Sequence, residues 1–455
     1  MTLANPMAII GLILGLGIAV AGLFYPFLGL LVFLAIHFIQ PGALIPALAP
    51  FRIELVYAAI LGAIFVHRRM LTPGPSLWSN RIILGAVLLL GLAAFSVPFA
   101  MWRGGALDMT ISLAKHVAML ILIFGFLDSS DRLRKFLWLE VALMTWFAWT
   151  GMHSYVLGHW SFQEGLKRAE GLGVADGPNG LAGILLLSLP FLVALIQGTR
   201  NILMRLLLIA CGVLVVATMM ITGARIAFLG LIAISFYYVF TSRRKVASFA
   251  VVICLASVVW WATPKAYQQR YLTVAHYAEG GKLDSSNQLR LQIWRGGWYI
   301  FLHHPILGVG AGQFQLAFHK YTGQAHAGWI SPHNTAIEVG CELGLVGLIV
   351  FAYFVVQIVK GIRFTIRLRD HPAAQDCYEF GIACQAVLIA VLMESLVGHL
   401  LYRPYWYLLG GIVAANWALA KKTLAEHSIG AQDDKVEDGV VVASEAFVGA
   451  GNYSE

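Results

Sequence analysis

Charge is scarce in this chain. Only 12% of its 455 residues are Asp, Glu, Lys or Arg, against 59% hydrophobic. That balance excludes a soluble globular domain of this size. Cysteine is scarce too. The five present (Cys211, Cys254, Cys341, Cys377, Cys384) lie in or beside apolar segments, which excludes a disulfide framework. No P-loop, Cys-x-x-Cys ligand set or His-Glu-x-x-His occurs, and Asp433-Asp434 lies in a polar tail. These absences argue against a nucleotide-sugar enzyme working through a cytoplasmic metal. The apolar runs lack the alternation of β-barrel strands. The start lacks a basic n-region and a small-residue cleavage site, so the first apolar run reads as a retained helix. The formal charge of +8 is no nucleic-acid signal, because the cations sit mostly between apolar runs.

What is present is a series of apolar runs at 7–23, 25–39, 53–66, 81–100, 107–127, 133–156, 179–197, 202–221, 225–240, 246–262, 334–358, 379–397 and 404–420. Runs near twenty residues match the bilayer core at about 1.5 Å per helical residue. The fold class is an all-α polytopic membrane protein of about twelve or thirteen transmembrane helices. The number turns on whether Tyr25-Pro26 breaks 7–39 into two helices or kinks one.

Basic clusters occupy every second connection: His67 to Arg69, Arg132 to Lys135, Arg200 and Arg205, Arg243 to Lys245, Arg363 to Arg369, and Lys421-Lys422. The positive-inside rule makes those connections cytoplasmic. The connections near 40–52, 101–106, 157–178, 222–224, 263–333 and 398–403 then share the other face, periplasmic in a Gram-negative cell. The organisation expected is a helix bundle over 1–262, a large periplasmic loop over 263–333 with short amphipathic helices, further transmembrane helices over 334–420, and a cytoplasmic tail over 421–455. The polar, Gly-rich composition from Glu426 onward predicts an unstructured tail.

The one long pause carries Arg270, Arg290, Arg295, His303, His304, His319 and His326, and ends in Ser331-Pro332-His333-Asn334. Pro332 and Asn334 mark a helix start, which sets His333 at the positive end of a helix dipole. That position disfavours imidazolium and keeps a neutral base available near pH 7. The same helix end attracts phosphate, with Asn334 at its rim. Glu338 and Glu342 follow one turn apart, and carboxylates in an apolar run need partners. Glu338 either pairs with an Arg, orients His333, or is purely structural. Arg225 lies in the tight connection Thr222-Gly223-Ala224-Arg225, where it either snorkels to lipid phosphate or faces an anionic substrate. Arg290 and Trp294 share one side of an amphipathic helix, as interfacial anchors or as site residues. Arg168 opens a Gly-rich stretch ending in Asp176-Gly177-Pro178-Asn179, which is a plain turn or a ligand loop.

Four motifs in order carry a resemblance. Arg168 to Asn179, Thr222 to Phe228, Pro305 to Phe314, and Pro332-His333-Asn334-Thr335 with Glu338 to Gly347 together resemble the O-antigen ligase and polymerase superfamily. Ala224 and Ile226 depart from that family's Ser-Arg-Gly element. The resemblance implies an inner-membrane glycosyltransferase without cofactor or metal. Its donor is a glycan on undecaprenyl diphosphate and its acceptor, for the ligases, a hydroxyl of lipid A–core oligosaccharide. It implies His333 as the essential His and Arg225 and Arg290 as essential arginines, with Arg168 following from its motif. A diphosphate leaving group needs charge stabilisation, which Arg forks supply, and a hydroxyl acceptor needs a general base. On this reading Arg168, Arg225, Arg290 and Asn334 hold the diphosphate, Glu338 supports, and His333 takes the proton. Other readings remain open: an O-antigen polymerase, a protein O-oligosaccharyltransferase, or a flippase or proton-coupled transporter using Glu338, Glu342 and Glu394.

Overall fold

The computed structural model describes residues 17–71, 76–278, 285–323 and 330–449. His326 and the first part of the 7–23 run lie outside them. A helix at 17–24 breaks at Tyr25, and α1 (Pro26–Ile39) restarts with Pro26 at its first turn. The 7–39 stretch is therefore two helices where it is described. Pro26 lacks the amide that would continue the first ladder.

The chain continues as α2 (Ile53–Leu71), α3 (Arg81–Ser96), α4 (Arg103–Phe126) and α5 (Ser130–Val156). A hairpin of β1 (Ser161–Gln163) and β2 (Leu166–Arg168) leads to α6 (Gly177–Gly198), α7 (Ile202–Ile221), α8 (Arg225–Thr241) and α9 (Lys245–Ala262). The long connection holds α10 (Lys265–Ala278), α11 (Ser285–His303) and α12 (Phe314–Thr322). Then come α13 (Thr335–Ile366), α14 (Gln375–Val397) and α15 (Tyr405–Gly449). Asn80, Ser129, Asn201 and Asn334 cap α3, α5, α7 and α13 with side-chain oxygens on free amides.

Nine helices among the described residues are long and apolar enough to cross a membrane, and α8, at 17 residues, is a shorter apolar one. α5 and α15 coincide with predicted runs but fall outside that set, since polar groups such as Glu140 and Lys421-Lys422 dilute them. Among the candidate spans α6 is the most enclosed, packed by α5, α7 and α14, while no residue of α9 is buried. The core runs through Phe33, Phe38, Phe136, Phe147, Phe354, Trp406 and Tyr407. α15 stays helical to Gly449, where an unstructured tail was expected. Extending an existing helix is far easier than nucleating one, so the polar stretch continues it.

The long connection is a folded structure. Ile293 and Ile300 of α11 pack with Phe314, Ala317 and Phe318 of α12, and with Val309, Ile330 and Cys341, in a core of their own. Residues 305–313 thread into a break in α13. Val309 and Gly310 donate to the carbonyls of Cys341 and Glu342, each at 2.9 Å, and Leu345 donates to Pro305 at 2.8 Å. The break is at Gly344, with φ of 66° and ψ of −162°. A Cβ there would stand 2.2 Å from the Ile306 carbonyl oxygen, so only glycine fits.

Candidate functional site

The connections expected to share one face do converge. Gln313 accepts a hydrogen bond from Trp102 N at 2.9 Å, and Ser96 Oγ accepts one from Ala311 N at 3.0 Å. These join the 101–106 connection to the long one. Ala169 N bonds the Ile221 carbonyl at 3.1 Å, which joins the hairpin to the α7–α8 turn. α10 lies across that turn. Tyr271 donates to the Met220 carbonyl at 2.7 Å and stacks on Phe228, while Tyr267 bonds both the Lys167 carbonyl and Tyr155.

Between these pieces lies a cavity of about 370 Å³. Its wall carries five arginines, Arg168, Arg225, Arg270, Arg290 and Arg403, with three carboxylates, Glu164, Asp176 and Glu394. His333 and His399 also line it. More cations than carboxylates in an enclosed space make an anion-binding site.

The arginines are used unequally. Arg168 is 2% exposed. Its Nε donates to the Thr222 carbonyl, and its terminal nitrogens donate to Gln163 Oε1 at 3.0 Å and Asn179 Oδ1 at 2.8 Å. Three of its donors thus tie the hairpin, the α6 start and the α7–α8 turn into one unit. Burial, then Arg270 close by, pulls its pKa down to about 10, which leaves it charged at neutral pH. Arg225 opens α8 and donates to Thr273 Oγ1 at 3.1 Å. Its other terminal nitrogen is 3.7 Å from Glu164, whose same oxygen meets Arg270. Arg270 also donates to the Gly223 carbonyl at 2.7 Å. Glu164 sits at the hairpin tip, where Glu164 and Gly165 both take positive φ, the geometry of a two-residue hairpin turn. A carboxylate therefore occupies the space between Arg225 and Arg270.

His333 has a left-handed φ of 47°, which is strained for a residue with a side chain. The turn is held from both sides. Trp294 Nε1 of α11 donates to the Pro332 carbonyl at 3.2 Å, and Ser331 Oγ lies 3.2 Å from His333 Nε2. Burial, then the Arg290 charge, pushes the imidazole pKa down to about 4, while a backbone hydrogen bond with Val397 pulls the other way. That keeps the imidazole neutral at pH 7, with burial and Arg290 as the leading causes rather than the helix end.

Asn334 and Glu338 do other work. Asn334 caps α13 through Ile337 N at 3.1 Å and donates to the Leu396 carbonyl at 3.3 Å, and it is not among the cavity-lining residues. Glu338 accepts from Leu401 N at 3.0 Å. Glu342 accepts from Gly312 N, Phe314 N and Tyr402 Oη. Both carboxylates clasp loops onto α13, and neither lines the cavity. Arg270, Arg403, Glu164 and His399 do line it and were not singled out as site residues, and Glu394, named only for a transporter, lines it too. Arg270 and Arg403 had a signal, since both are cations on the face expected to be poor in them. Glu164 had none.

No group of three or more His, Cys, Asp or Glu side chains among the described residues is placed to hold a metal ion. The class defined so far is a polytopic helical membrane protein with an arginine-lined cavity at one end of its bundle. Residues 210–352 match the family model described as O-antigen ligase, so that about a third of the chain is similar to that family. The matched stretch contains Arg225, Arg270, Arg290 and His333, while Arg168, Glu164, Glu394 and His399 lie outside it. No curated protein matches the chain significantly.

Proposed function

We propose that this protein is an O-antigen ligase, an inverting glycosyltransferase that moves a glycan from undecaprenyl diphosphate to a hydroxyl of lipid A–core oligosaccharide. The observation that carries the reading is the cavity in which arginines from separate connections meet His333, an imidazole that burial and Arg290 keep neutral, with His399 beside it. Arg225, Arg270 and Arg290 bind the donor's diphosphate oxygens. Arg168 holds the seat together, and its remaining donors add to the positive field. The leaving diphosphate departs as an anion without needing a proton. His333 takes the proton of the attacking hydroxyl as the new glycosidic bond forms on the face opposite the leaving group.

A free imidazole with a pKa near 4 is a weak base. The donor corrects this. Its negative charge offsets Arg290, so the imidazole gains basicity when the diphosphate arrives. The base is then strongest in the complex that needs it. The cavity end of the bundle faces the periplasm in the bacterial inner membrane, with the C-terminus cytoplasmic. No metal takes part.

The test is in vitro transfer from undecaprenyl-diphosphate-linked glycan to purified lipid A–core, scored by product mobility. His333→Ala is expected to lose on the order of 10²- to 10⁴-fold in rate. Normal transfer by that variant removes the base assignment, and activity abolished by chelator and restored by a divalent ion removes the metal-free one. Product formed only on a growing glycan or on a protein makes the enzyme a polymerase or a protein glycosyltransferase instead. A transporter built on Glu338, Glu342 and Glu394 is disfavoured, because the first two of these carboxylates are engaged by loop amides.

A further inference from the structure

The cavity has two chemically different ends. Around Arg225 and Arg270 it is cationic. Near His333 it carries two buried polar atoms that lack a hydrogen-bond partner among the described residues, Glu394 Oε1 and His399 Nδ1. No other such atom belongs to a residue lining this cavity. Glu394 is 7% exposed and lies in the last turn of α14, where its carbonyl accepts Gly398 N at 2.7 Å. The His399 ring meets His333 edge-on with centroids 6.0 Å apart. Gly183 of α6 lies against the Glu394 carboxyl, and a Cβ there would stand 3.2 to 3.4 Å from its three terminal atoms.

Buried polar atoms in folded proteins are almost always satisfied. The neighbouring carboxylates Glu338 and Glu342 obey that rule within the fold. Two exceptions facing one cavity therefore point to a ligand that brings hydrogen-bonding groups. A carboxyl and an imidazole nitrogen left without partners are hydrogen-bonding groups suited to hydroxyls, so this end takes a partner rich in hydroxyls, which is a sugar. Of the two sugars in a transfer reaction, the acceptor is the one whose hydroxyl must reach the base.

We propose that Glu394 and His399 form a binding subsite for the acceptor sugar beside His333. Glu394 accepts a hydrogen bond from one acceptor hydroxyl, and His399 Nδ1 bonds a neighbouring one. The subsite rests on the transferase reading above. It orients the ring so that the reacting hydroxyl faces His333.

The experiment measures KM for lipid A–core and KM for undecaprenyl-diphosphate-linked glycan separately, in Glu394→Gln, His399→Phe and Gly183→Ala. The acceptor KM is expected to rise roughly tenfold or more in the first two, as when a hydrogen bond to a charged or buried group is lost. The donor KM should move less than about threefold, because the cationic end is untouched. Gly183→Ala removes no polar group and only crowds the carboxyl, so it should raise the acceptor KM alone. Acceptor and donor KM rising together with a lowered melting temperature would make Glu394 and His399 structural and overturn the subsite. Both constants unchanged in all three variants overturn it as well. A wild-type enzyme that makes no product on lipid A–core sinks the ligase reading, and the subsite's ligand with it. An active wild type with unaffected variants sinks the subsite alone.

Discussion

Both ends of the helix bundle carry cations, and they use them in opposite ways. At the cavity end Arg225 and Arg270 are 15% and 11% exposed and share one carboxylate between them. At the far end Arg132, Arg134 and Lys135 are 40%, 44% and 60% exposed, and each has its own Asp partner. A surface pair in water contributes little and reports mainly on orientation. A cation held away from water is costly, and such cations are candidates for an anion-binding role. The difference separates solvated surface pairs from enclosed cations, the set proposed to hold substrate.

The sharpest way to break the comparison is to exchange one cavity arginine for a lysine. Arg225→Lys keeps the charge and loses the planar fork that binds two phosphate oxygens at once. Losing one charge-stabilising donor in an enclosed site typically costs about 2.7–4 kcal/mol of barrier, so transfer should fall on the order of 10²- to 10³-fold. Full activity in Arg225→Lys would show that the cavity needs only positive potential, as the far end does.

The pH profile sharpens the same point. His333 must be unprotonated to act as base, so activity falls as pH drops through its pKa. The acidic limb of kcat/KM for the donor reports the enzyme without donor and is expected near 4. The limb of kcat reports the donor complex and should lie at higher pH, because the diphosphate offsets Arg290. Coincident limbs would mean that the donor's charge does not reach the imidazole.

Much of the architecture was legible in the sequence, and the reasons are physical. Apolar length follows from bilayer thickness, and alternating basic clusters told which connections share a face. Those signals are local. Arg168 illustrates what is not local. Its motif marks a ligand loop or turn, but that it braces Thr222, Gln163 and Asn179 depends on contacts up to 54 residues away. Glu338 and Glu342 read as intramembrane carboxylates needing partners. Those partners proved to be backbone amides of Leu401, Gly312 and Phe314, which no residue type reveals. The break at Gly344 is likewise invisible in an apolar run, since it exists to admit the 305–313 segment. His399 was missed, and Glu394 was read only as a possible transporter carboxylate, because what marks them is the lack of a partner, which appears only once the neighbours are in place.

Glu164 tests the middle of the range. Its carboxylate lies between Arg225 and Arg270, where the reading above puts a phosphate group. Glu164→Gln removes a competitor for those arginines. The donor KM should fall roughly twofold to fivefold, the size of a partly exposed ion pair of ~0.5–1 kcal/mol. Inorganic pyrophosphate should inhibit the variant at correspondingly lower concentration. A donor KM that rises instead would make Glu164 the residue that holds the two arginines in place.

The smallest effect belongs to the far end and is the control for everything above. Arg134 reaches from α5 to Asp376 of α14 at 3.3 Å, with both side chains 44% exposed. Water screens such a pair, and holding two long side chains in one geometry costs entropy, so the net contribution is under about 0.5 kcal/mol. Arg134→Gln should leave transfer within about twofold of wild type and shift thermal stability only slightly. Asp376→Asn should do the same. If either variant lost activity on the scale of Arg225→Lys, exposure would no longer separate the two sets of cations. Coupling between the ends through α14, which runs from Asp376 to the cavity-lining Glu394, would then have to carry the difference.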